Sequence, residues 1–222
     1  DPISCVETFL QIKQLVQKTY PDFDFKLIHT DFRHTPKDQA LDKIEMAYFL
    51  RSLYPDFILG YDLVGEEDTG RTTLDYIDEL IEARAFEQKY GVDLPYYFHN
   101  GESNWAFNTN VFDAVLLQSK RIGHGLNLFH YPYLLSKIKE DDICLELCPI
   151  SNRVLGYVSD IRIHPGASYI KSGIPCVISS DDPGLFGYHG LSIDLWEAIV
   201  GWDLDLKNVK QLCMNSITYS GM

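Results

Sequence analysis

Six short apolar runs, each followed by a stretch with helical periodicity, predict an α/β fold on a parallel sheet. Two further observations support it. Runs such as "FILGYDL", "ICLELCP" and "PCVISS" are apolar on both faces, as strands are when helices cover both sides of their sheet. Polar residues collect just past the ends of these runs: Asp62 to Glu66, His99 to Glu102, His124, Asn152, and the pair Asp181 and Asp182. In parallel α/β folds, closed barrels and open sheets alike, that edge carries the ligand site.

The elements follow in order. "VETFLQIKQLVQKTY" has helical spacing, with Phe9, Ile12, Leu15 and Val16 on one side, and gives way to the strand "FKLIHTDF". "PKDQALDKIEMAYFLRSLY" starts with Pro36 in its first turn, aligns Leu41, Ile44 and Tyr48, and ends before Pro55. The strand "FILGYDL" precedes a helix from about Thr73 to Lys89. Then come strand "PYYFH", helix "NVFDAVLLQSK", strand "RIGHG", helix "YPYLLSKIKE" and strand "ICLELCP". A helix around "PGASYIKSG" leads into "PCVISSDD", and "LSIDLWEAIVGW" and "LKNVKQLCMNSITY" are the last helices.

The 222 residues are 45% hydrophobic and 23% charged, an ordinary composition for a globular domain with one sizeable core. A formal charge of -13 repels nucleic acid and anionic membrane surfaces on average, and no apolar run approaches the length that spans a bilayer. The cysteines, Cys5, Cys144, Cys148, Cys176 and Cys213, form no CxxC pair and read as buried thiols.

The chemistry-bearing stretches admit two readings each. "SSDDPGLFG" is good turn chemistry, because Asp accepts hydrogen bonds from nearby amides and Pro-Gly suits a tight turn. It also places two carboxylates side by side, where each raises the other's pKa unless a cation sits nearby. "YYFHNGE" delivers His99 at a strand end, with Gly101 to turn the chain and Glu102 three residues on. "RIGHG" sets His124 between two glycines. Both are either structural histidines or parts of a site in which His99 and Asp181 hold a divalent metal while Glu102 and His124 move and orient protons. His29 ends the first strand and is a further candidate for the site, whereas His34, His130, His164 and His189 read as surface or capping residues.

"HNGE", "RIGHG", "ELCPISN" and "SSDDPGLFG", in this order and spacing, resemble the adenosine deaminase family of (β/α)8-barrel metallohydrolases. "GYDLVGEEDTG" and Trp105 resemble more narrowly its extracellular class, the secreted adenosine deaminase-related growth factors. The resemblance runs from about Pro21 to Ser220. It implies one Zn2+ ion with His99 and Asp181 as ligands, Glu102 as proton donor to N1 of the purine, and His124 to orient and help deprotonate water. It further implies that Asp182 binds N7, that the Gly65 N–H contacts N3, and that Trp105 covers the ribose side. The implied reaction is hydrolytic deamination of adenosine and 2'-deoxyadenosine to inosine and ammonia. A secreted enzyme acting on a small nucleoside, with no nucleic-acid or membrane partner, is the corresponding expectation.

The sequence departs from that pattern in specific places. No His-x-His occurs, although the family's first strand carries one as two further zinc ligands. The six strands correspond to the third through eighth of the barrel, so residues 1–222 are expected to be a partial catalytic barrel. The first two strands, the amino-terminal extension through which the extracellular class forms homodimers, and the last helices are expected elsewhere, and this chain alone is expected to be inactive. Asn100 stands where the family has Ala, and Glu66 where the extracellular class has His. The alternative is a growth-factor-like or nucleoside-binding relative without activity.

Overall fold

The computed structural model describes residues 1–222. All six expected strands are present and parallel: β1 (Leu27–Phe32), β2 (Ile58–Val64), β3 (His99–Asn100), β4 (Arg121–His124), β5 (Cys144–Leu147) and β6 (Cys176–Ile178). β1 pairs with β2, and β3 to β6 follow one another in a second ladder. The two ladders meet at Tyr61, whose N–H donates to Pro95 O and whose carbonyl accepts from Tyr97 N–H, both at 2.9 Å. One step along, the His99 N–H turns to the Asp62 side chain, Oδ1 at 2.9 Å. A side-chain carboxylate takes the rung a backbone carbonyl would have filled, which is why regular pairing stops there. The result is a continuous arc of parallel strands, a partial α/β barrel, whose outer strands β1 and β6 each pair on one side only.

Helices cover the arc. α1 (Pro2–Gln17) opens with Asp1 as N-cap, its carboxylate accepting from Ile3 N–H, and Pro2 at a first-turn position. The expected stripe does not face the core: Phe9, Ile12 and Leu15 are exposed, and α1 packs through Ile3, Val6 and Leu10 against Leu50, Phe57 and Ile58. Both stripes have helical spacing, so periodicity alone could not choose between them. α2 (Lys37–Leu53) buries Ala40, Ile44, Ala47 and Tyr48 against β2. The single helix expected near Thr73 to Lys89 is instead a tight turn at Leu74–Tyr76 followed by α3 (Ile77–Glu82) and α4 (Ala85–Tyr90).

After β3 come α5 (Asn110–Leu116), then α6 (Pro132–Glu140) after β4, and after β5 a short α7 (Pro149–Val154) that begins at "PISN". α8 (Gly166–Lys171) precedes β6, and α9 (Ser192–Gly201) and α10 (Leu206–Thr218) complete the layer. Asp205 and Asn208 close a capping box at the start of α10. The main core joins Ile122, Leu145, Leu147, Cys176 and Ile178 of the sheet to Ile138, Tyr169, Ala198, Trp202 and Leu212 of the helices. Each such fully buried aliphatic side chain stabilises the fold by about 1.5–3 kcal/mol, enough to hold the strand ends that carry the site. Cys144, Cys148 and Cys176 are buried as expected; Cys5 and Cys213 lie at exposed helical positions instead.

Candidate active site

A cavity of about 750 Å³ opens at the C-terminal edge of the arc. Gly65, His99, Glu102, His124, Asp181 and Asp182 line it, with Phe32, Val64, Leu155, Tyr157, Leu185 and Phe186 as apolar wall. Six of the seven residues expected at the site therefore share one cleft. Trp105 is the seventh: it is 59% exposed on the loop after β3 and is not part of the lining. Gly65 adopts φ +97°, a conformation that side chains disfavour, and so turns the chain sharply out of β2. His124 and Asp181 also have positive φ, 64° and 56°, a strained geometry that tends to persist at functional positions.

Asp62 fixes His99. Its Oδ2 lies 2.6 Å from His99 Nδ1 while Oδ1 takes the backbone N–H of the same residue. Burial pushes the His99 imidazole down, but the Asp62 carboxylate more than reverses this and raises it to about 10. With Nδ1 engaged, Nε2 is the nitrogen left to meet a cation, and such a cation would take the place of a proton.

Glu67 builds the turn that carries Glu102. Its buried carboxylate accepts the backbone N–H of Gly101 at 3.0 Å and of Glu102 at 2.8 Å, and the side-chain amides of Asn108 and Asn110 at 2.7 Å each. Burial then pushes the Glu102 carboxyl up to about 7; the charge on His99 opposes this, and Glu67 and Asp181 add to it. A carboxyl poised near neutrality can give or take a proton at working pH.

Behind them lies Arg33, fully buried, donating to Arg71 O and Thr73 Oγ1 at 3.3 Å, to His99 O and to Asn100 Oδ1. Asn100 in turn donates to Asn110 O at 2.7 Å and accepts from Thr73 Oγ1. Asn100 is thus absorbed in supporting bonds behind the cleft. His29 does not reach the cleft; it stacks on Tyr61 and pairs loosely with Asp31 at 3.8 Å. His164, expected at the surface, is buried and accepts the Gly166 N–H, so only its capping role holds.

His99, His124 and Asp181 bring ligating atoms within 4.8 Å of one another. Imidazole nitrogen and carboxylate oxygen are suitable zinc donors. Asp62 behind His99 is the usual support of a metal-binding histidine. His99 and Asp181 therefore fit such an ion as part of its ligand set, with His124 close beside them. His124 Nε2 lies 3.5 Å from Glu102 Oε1 and 3.9 Å from Asp181 Oδ2, so the four groups form one cluster.

The family model for adenosine deaminase matches residues 3–221. The chain belongs to the adenosine deaminase family. Adenosine deaminase 2 of Homo sapiens is 44% identical over 224 residues, covering 97% of this chain and 43% of that protein. The chain thus spans less than half the length of this relative. An adenine deaminase from Arthrobacter aurescens superposes with a TM-score of 0.79 at 20% identity, covering 97% of this chain and 62% of that one. An amidohydrolase from Burkhoderia ambifaria, solved with bound Zn, gives 0.73 at 21% identity, covering 89% and 52%. These two structures share the α/β barrel fold with this chain, which forms an arc of it.

Sequence reasoning missed Asp62, Glu67 and Arg33 as parts of this site. Asp62 lies within β2, at the start of the polar stretch Asp62 to Glu66 that marked the region without naming its partner, and Glu67 stands one residue beyond that stretch. Arg33 lies one residue past β1, and nothing in the sequence signals that it is buried.

Proposed function

We propose that this chain is the greater part of the catalytic barrel of a zinc-dependent adenosine deaminase, converting adenosine and 2'-deoxyadenosine to inosine and ammonia. The observation that carries the reading is the convergence of Glu102, His99, His124 and Asp181 at one end of a cleft whose other lining is mostly apolar. A flat purine suits such a cleft, and the ionisable groups stand at one side of it.

His99 Nε2 and Asp181 would hold the ion, the remaining ligands coming from outside this chain. When bound, zinc lowers the pKa of water from about 15.7 toward 7 and so supplies hydroxide at neutral pH. Glu102 is protonated up to about pH 7 and donates to N1 of the ring. That proton draws electrons from C6 and readies it for attack. Asp182 meets N7, which can only accept a hydrogen bond, the Gly65 N–H meets N3, and the apolar wall excludes water from the ring faces. His124 orients the water. Trp105 covers the ribose side in this proposal only if its loop folds inward.

The stretch "GYDLVGEEDTG" and Trp105 support the extracellular class by resemblance. Secretion and a homodimer formed through a segment outside this chain are part of the same proposal. The chain's own helices include none long and apolar enough to cross a membrane.

The test is adenosine turnover by the protein that carries this chain, followed as inosine and ammonia. Deamination that Glu102→Gln lowers by about 10²-fold or more supports the reading. Nucleoside binding without turnover, in protein shown to hold zinc, overturns it in favour of an inactive relative.

A further inference from the structure

A line of hydrogen bonds runs from a backbone amide to the cleft. The Gly166 N–H lies 2.9 Å from His164 Nδ1, His164 Nε2 lies 3.1 Å from Asn152 Oδ1, and Asn152 Nδ2 lies 3.3 Å from His124 Nδ1. His124 Nε2 then faces Glu102 and Asp181. Asn152, His124 and His164 are all buried. We propose that Asn152 and His164 are positioning residues that carry the polarity of the Gly166 amide to His124, so that His124 shows the cleft an Nε2–H and not a lone pair.

A backbone N–H can only donate, so His164 Nδ1 must be bare. Burial pushes the His164 imidazole down to about 3, which keeps it neutral with its single proton on Nε2. That proton requires an acceptor, so the Asn152 oxygen faces His164 and its NH2 faces His124. An NH2 only donates; His124 Nδ1 is therefore bare, and its proton sits on Nε2. Each step removes one of two alternatives left by an imidazole or an amide, whose orientations otherwise follow from the network around them.

The relay is held rigid at its far end. His164 stacks on Trp202 with ring centroids 5.0 Å apart, and the Trp202 Nε1–H donates to Ile161 O at 2.8 Å. A Cβ on Gly166 would come within 2.8 Å of the Trp202 ring and 2.9 Å of His164 Nδ1, so a side chain there would force the amide away from the imidazole.

The consequence for chemistry rests on the deaminase reading above. A His124 that presents N–H to the cleft orients and stabilises an oxygen beside it by donating a hydrogen bond. It does not act as a base through Nε2, because in this tautomer Nε2 already carries its proton and the lone pair is on Nδ1, which faces Asn152. It also does not offer a lone pair to a metal, which leaves His99 and Asp181 as this chain's ligands.

Long-range 1H–15N NMR of 15N-histidine-labelled protein, using the whole protein that carries this chain, reads the tautomer directly. His124 Nδ1 is expected as a bare, imine-type nitrogen and Nε2 as a protonated one. Asn152→Asp keeps an acceptor for His164 but turns an oxygen toward His124. It is expected to move the His124 proton to Nδ1 and to lower kcat by about 10²-fold with KM little changed. Finding the wild-type proton on Nδ1 overturns the proposal, whether or not the variant folds. An unchanged tautomer in a folded Asn152→Asp protein also overturns it. The NMR result does not depend on turnover, so the expected tautomer in a protein that fails to deaminate adenosine supports the relay and refutes the proposed activity.

Discussion

Glu67→Gln tests how the turn that carries Glu102 is held. The wild-type carboxylate takes three donors on Oε2, from Gly101, Asn108 and Asn110, and one on Oε1, from Glu102. Glutamine has the same shape but only one accepting end. Its better orientation puts the amide oxygen among the three donors and leaves its NH2 against the Glu102 N–H. One charge-assisted bond, worth about 1.5–3 kcal/mol, is lost, and the other three weaken to neutral bonds. A destabilisation of about 3 kcal/mol follows, concentrated at the turn. Urea unfolding of wild type and variant gives the total, and hydrogen exchange at the Glu102 amide gives its location, since that proton should lose protection first. A variant within about 0.5 kcal/mol of wild type, with the Glu102 amide still protected, would refute the claim that Glu67 organises this turn.

Other consequences can be measured independently. Glu102 acts in its acid form, which is present below about pH 7 and lost as the pH rises through that value, so kcat/KM is expected to fall on the alkaline side; Glu102→Gln should remove this limb along with most of the rate. Asp62→Asn takes the charge from behind His99 and is expected to weaken zinc binding by about 10–100-fold, read by competition with a chelator. Gly65→Ala meets no close neighbour, since the nearest atom to its Cβ would be Phe32 Cδ1 at 3.6 Å. Its cost is the φ of +97°, about 1–3 kcal/mol in an unfolding experiment.

The strand order was readable because each strand is an apolar run with its own polar terminus, and that pattern depends on neighbours in the chain. Glu102, His99, His124, Asp181 and Asp182 were visible for the same reason, since they lie at those termini, whereas Gly65 was named through the resemblance to the family. What holds them was not. Asp62 reaches His99 across 37 positions, Glu67 reaches Glu102 across 35, and Arg33 reaches Asn100 across 67. No local pattern encodes a bond between strands. The exposed stripe of α1 and the break between α3 and α4 have the same origin, because helical spacing states that a face exists and not what covers it. His164 read as a loop residue because it stands before Pro165; its burial comes from Trp202, which arrives from α9's far end.

The central claim is that His99 and Asp181 hold a zinc ion beside a protonated Glu102. Zinc content of the native protein, measured together with its intact mass, tests it most directly. One zinc per catalytic unit is expected in wild type, lost in His99→Ala and in Asp181→Ala and kept in His124→Gln. A native protein without zinc, or one that retains zinc when His99 and Asp181 are both replaced, would contradict it.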